Sequence, residues 1–131
     1  MTITNFEDIT YPLTDYEKTL VPIIIRCMEK YKKANPIKGT AILSGLKAAG
    51  HKVNNARVMK VINHIRGHHL MPIIATSKGY YSTDEKDWEE IRKQIQSLEE
   101  RIAAQQFAMD GLSWYLPESH KLVKEPVNEK Y

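Results

Sequence analysis

The chain of 131 residues contains a single cysteine, Cys27, so no internal disulfide can form and no cysteine-based zinc cluster can assemble. Glycine and proline are scarce at six each, which excludes collagen-like and low-complexity classes. Long apolar runs are missing as well. The longest near the front, Leu20 to Ile25, is interrupted by Pro22 and closed by Arg26, so neither a membrane span nor a signal peptide is legible, and a cytoplasmic location without membrane contact is expected. With 42% hydrophobic and 27% charged residues, the chain has the makings of one domain with one core and is too short for a multi-domain enzyme.

The most telling absence is local. Residues 30 to 83 contain ten lysines and arginines and no aspartate or glutamate, whereas residues 1 to 29 carry two basic and five acidic groups and residues 84 to 131 carry seven and eleven. The modest net charge of +3 therefore conceals blocks of −3, +10 and −4. An acid-free stretch of this length is the electrostatic footprint of a surface that faces phosphates; its bland alternative is a solvated basic face with no partner.

Periodicity divides the chain into an irregular segment at 1–13, a helical and hairpin domain at 14–83, a long helix at 84–116 and a loose tail at 117–131. Thr14 and Glu17 form a capping box, and the stripe Leu20, Val21, Ile24, Ile25, Met28, Tyr31 predicts a first helix that Asn35-Pro36 stops. Ile37 to Gly39 reads as a short extended piece. Thr40 can cap a second helix, from Ala41 to about Ala49, that Gly50 ends. After a tight turn at His51-Lys52-Val53, a third helix from about Asn54 to Gly67, capped by Asn54 or Asn55, turns Val58, Val61, Ile62 and Ile65 to the core. Its opposite side is expected to present Ala56, Lys60, Asn63 and Gly67, flanked by Arg57, Met59 and His64. Two β-prone runs, Pro72 to Thr76 and Tyr80 to Ser82, then surround the turn Ser77-Lys78-Gly79 as a hairpin, with Tyr80 as the plug beneath it.

In the last helix, with Ser82 or Asp84 as cap, Trp88, Ile91, Ile95, Leu98, Ile102, Gln105, Met109 and Leu112 recur at alternating spacings of three and four, a heptad seam. Such a seam predicts a homodimer through this helix, with Gln105 restricting register and Trp114-Tyr115-Leu116 packing between protomers; a helix folded back on its own domain is the alternative. The fold class expected is mainly α with a small β-hairpin, a winged helix-turn-helix followed by a long coiled-coil-like helix.

The stretches Asn55 to Arg66 and Leu70 to Tyr81 resemble the recognition helix and wing of winged-helix DNA-binding regulators. Val58, Ile62, Ile65 and Arg66 take the matching helix positions, Gly79 and Tyr80 take the Gly-Tyr of the wing, and Met59 stands where that family has a basic residue. Residues 14 to 112 are also similar to small winged-helix proteins of bacteriophages and prophages of gut bacteria. The resemblance implies a phage or mobile-element regulator or replication accessory.

On this reading Arg57, Lys60, Asn63 and His64 contact base edges, while Lys38, Thr40, Lys47, Lys52, Asn55 and Lys78 contact phosphates of double-stranded DNA. The expectation depends on Lys60 and Asn63 looking outward. His64 and His68 have the spacing of a metal pair, but no carboxylate or thiolate nearby completes a ligand set, so no metal is expected. No nucleophile with a partner and no Gly-rich phosphate loop is present, so neither enzymatic activity nor a cofactor is expected. The alternative function is a protein-protein interaction module that docks onto a host protein without touching DNA.

Overall fold

The computed structural model describes residues 12–120. At the front, the Thr14 hydroxyl accepts from the Glu17 N–H and the Glu17 carboxylate accepts from the Thr14 N–H, so the capping box starts helix α1, Asp15–Met28. Pro22 is accommodated within it. The helix ends three residues before Tyr31, where the sequence pattern carries it. The Tyr31 N–H closes a tight turn on the Met28 carbonyl at 3.1 Å, and β2 takes up the acceptors beyond it, the Ser82 hydroxyl donating to the Met28 carbonyl at 2.9 Å and the Ser82 N–H to the Tyr31 carbonyl at 2.9 Å.

Ile37 exchanges two backbone hydrogen bonds with Tyr80, at 2.8 and 2.7 Å. The chain passes directly from this bridge into α2, Gly39–Ala48, with Lys38 at the N-cap and no capping side chain, so Thr40 lies within the first turn and does not cap it. Gly50, at φ 92°, reverses the chain after α2. Helix α3, Asn55–Gly67, is capped by Asn54, whose side chain accepts from the Arg57 N–H at 2.8 Å. Strands β1, Ile73–Thr76, and β2, Gly79–Ser82, pair antiparallel with Thr76 opposite Gly79, which leaves Ser77 and Lys78 as a two-residue tip.

Gly79 is required twice over. Its φ is 132°, and a Cβ there would lie 2.5 Å from the Ile37 carbonyl oxygen, so the bridge and the hairpin both depend on its missing side chain. The core lies among these elements. Leu20, Ile24 and Met28 of α1, Ile42 and Leu46 of α2, Val58, Val61, Ile62 and Ile65 of α3, and Ile73 of β1 form one buried cluster, each side chain contributing roughly 1.5–3 kcal/mol. Tyr80 packs at its edge, and Tyr81 is the more deeply buried of the pair.

Helix α4, Trp88–Ser113, begins later than the acidic run at 84 suggests. Ser82 is turned inward, the Asp84 carboxylate closes a turn on the Lys86 N–H, and Asp87 accepts from the backbone of Ile91 and Glu90. Helix α4 contributes to two compact units divided between Gln94 and Ile95. Its first two turns belong with the hairpin because the Tyr81 hydroxyl donates to Glu90 at 2.6 Å and the Gln94 side chain accepts from the Ala75 N–H. The whole is mainly helical with one small hairpin and a long C-terminal helix. A short 3-10 turn, Glu118–His120, follows; the expected segments at 1–13 and 117–131 otherwise lie mostly outside the described residues.

Candidate nucleic-acid interface

The acid-free block is not acid-free in space. Glu17, three residues before Leu20 on the inner side of α1, is 4% exposed and reaches α3 across the core edge. One carboxylate oxygen accepts from the Lys60 ammonium at 2.7 Å, and the other accepts from Arg57 Nε at 3.0 Å. Burial alone would raise the Glu17 pKa, but hydrogen bonds from Lys60, the Thr14 backbone and Arg57 outweigh it and bring the value down to about 2.

This corrects the expected orientation of Lys60. Its side chain is buried against Glu17 and does not look outward, because a carboxylate placed on the apolar stripe of α1 needs a buried cation opposite. Ala56, one turn earlier, is covered as well. Arg57 is held on three sides. Beyond Glu17, it donates from Nη1 to the Lys52 carbonyl at 2.9 Å, and its guanidinium stands 5.5 Å from the Tyr16 ring centroid. The Tyr16 hydroxyl in turn accepts from the Lys52 N–H at 3.0 Å and bonds His51 Nδ1 at 3.1 Å, so this cluster fixes the turn between α2 and α3.

The side of α3 that does face solvent carries Asn55, Met59, Asn63 and Gly67, at steps of four residues. Asn63 is therefore outward as expected. His64 is half-buried with its ring 4.2 Å from that of His68, and burial, then the charges of His68 and Lys18, push its pKa below the usual imidazole value. Among the described residues no three histidine, cysteine or acidic side chains converge as a metal site would need. Arg66 donates to the Ile73 carbonyl at 2.9 Å and so ties α3 to β1.

Of the residues expected to touch phosphate, Lys38, Thr40, Lys47, Lys52, Asn55 and Lys78 are all exposed. Lys38 caps α2 immediately beside Gly79, whose neighbour Lys78 is at the hairpin tip. Lys47 is in the last turn of α2, and Lys52 follows in the turn that the Tyr16 cluster braces. None of these four lysines is ion-paired among the described residues, in contrast to Lys33, which meets Glu90 at 3.2 Å. No helix among the described residues is long and apolar enough to cross a membrane.

Along the seam of α4, Trp88, Ile95, Leu98, Ile102, Gln105, Met109 and Leu112 are exposed, and Ile91 is half-buried. Phe107, outside the heptad pattern and 82% exposed, is an apolar residue that reading only the seam passes over. Trp114 and Tyr115 meet edge to face with centroids 5.2 Å apart and are both exposed. No family model, curated protein or solved structure matches the chain, so the reading of the site rests on its own geometry.

Proposed function

We propose that the protein binds double-stranded DNA as a winged-helix module and self-associates through the seam of α4. The observation that carries this reading is the set of exposed, unpaired lysines at the start of α2, its last turn, the turn before α3 and the hairpin tip, in a stretch without a single acidic residue. Four such cations release counterions from a duplex, so affinity falls with salt at a log-log slope of about −0.9 for each phosphate neutralised. The resemblance of residues 14 to 112 to small winged-helix proteins of bacteriophages and prophages extends this reading to a regulator or replication accessory of a phage or mobile element.

The assay is a titration of the full chain with a labelled duplex at several salt concentrations. Binding that weakens steeply with salt is expected, and Lys47→Ala and Lys78→Ala should each reduce the slope by about 1. Absence of duplex binding at low salt refutes the reading. The exposed apolar side chains of α4 favour a second one, docking onto another protein, and that reading gains if the purified protein retains no nucleic acid and does not self-associate.

A further inference from the structure

We infer that α3 reads adenine–thymine pairs through the major groove, with Asn55 and Asn63 as adenine contacts and Met59 against a thymine methyl between them. The inference rests on the duplex-binding reading and sharpens it to a class of sequence. It starts from what the outward side of α3 lacks. A guanine is read by an arginine or lysine that donates to O6 and N7, and a cytosine by a carboxylate that accepts from N4. The arginine and lysine of the first half of α3 are engaged by Glu17, Arg66 is turned to the Ile73 carbonyl, and the block contains no carboxylate at all. Arg57 keeps about a third of its side chain exposed but is pinned at the turn before α3, so a G·C pair set against the outward positions 55, 59, 63 and 67 finds neither of its charged partners there.

What remains outward is two amides and a thioether. An asparagine offers one donor and one acceptor side by side, the complement of adenine N7 and N6, and apolar side chains suit the C5-methyl of thymine. Asn55 and Asn63 are eight residues apart, about 12 Å along a helix at 1.5 Å per residue, with Met59 halfway and 46% exposed. At roughly 3.4 Å per base pair that separation spans three to four steps. Neither asparagine side chain has a hydrogen-bond partner among the described residues, so both amides are available without breaking a contact of the fold.

The test uses the full chain and four labelled duplexes of equal length: all A·T in mixed order, all G·C, the A·T duplex with 7-deazaadenine for adenine, and the A·T duplex with uracil for thymine. The A·T duplex should bind at least about 10-fold tighter than the G·C duplex. Loss of N7 should remove most of that margin, and loss of the methyl should cost about threefold. Neither substitution changes an atom on the minor-groove edge, so a preference arising from wing contacts to that edge would survive both and overturn the inference. Asn63→Ala should weaken A·T binding by about 10-fold and make it less sensitive to 7-deazaadenine, with an unchanged circular dichroism spectrum. Salt-dependent binding without A·T preference overturns this inference while duplex binding stands; no duplex binding overturns both.

Discussion

In the compact unit that ends at Gln94, Leu20, Ile24, Met28, Val61 and Ile65 are fully screened from solvent, whereas in the distal part of α4 Ile102, Phe107, Met109 and Leu112 are each more than half exposed. Both regions carry regular apolar spacing. The difference teaches that periodicity states a demand for burial without naming what meets it: three helices and a hairpin meet it in the first region, while along the distal part of α4 these side chains remain exposed among the described residues. Charge divides in the same way. Lys60 and Lys47 come from one basic block, yet one ammonium is buried on a carboxylate and the other stands in solvent.

The largest way to break the contrast is to unbalance the first region from within. Glu17→Ala leaves the Lys60 ammonium buried without its partner and should cost about 3–5 kcal/mol in urea unfolding, while the double change Glu17→Leu with Lys60→Met should restore most of it. Acid probes the same group. Because the folded pKa of Glu17, about 2, lies below its ordinary 4.5, its stabilisation is complete above roughly pH 5 and is lost as pH falls toward 2. At about 1.4 kcal/mol per unit the loss is about 3 kcal/mol, and Glu17→Gln should flatten that part of the stability profile.

The second region is broken from outside. Ile102→Glu should leave the unfolding of the compact unit within about 0.5 kcal/mol of wild type. It should also remove about 2 kcal/mol of association free energy, as read by sedimentation equilibrium. An unchanged association constant would show that the seam is not the contact. Back in the first region, Gly79→Ala forces a side chain into a positive φ and against the Ile37 carbonyl, and should lower stability by more than about 1 kcal/mol, measured by thermal unfolding.

These contrasts also show where sequence reading succeeds. The capping box at Thr14 and Glu17, the core stripe of α3 and the hairpin around Ser77 and Lys78 are encoded within a few residues, so spacing alone reveals them. The Glu17–Lys60 contact joins residues 43 apart, and no local pattern announces it. A signal existed nonetheless: Glu17 continues the stripe of Leu20 and Ile24 backward by one turn, and an acid on a buried stripe requires a cation from elsewhere. Glu17 serves as both capping residue and buried counterion, and its first role is sufficient to hide the second. The start of α4 was obscured similarly, since an acidic run reads as a first helical turn whether or not the chain first turns at Asp84 to Lys86.

The lone thiol of Cys27 is half-buried in α1, and burial raises its pKa. With no second sulfhydryl to compete, one chemical label reports on one place. Its rate of coupling to a maleimide is then a clock for how often the first helix breathes, and the same residue offers a single attachment point for a fluorophore remote in sequence from Asn63 and Lys78.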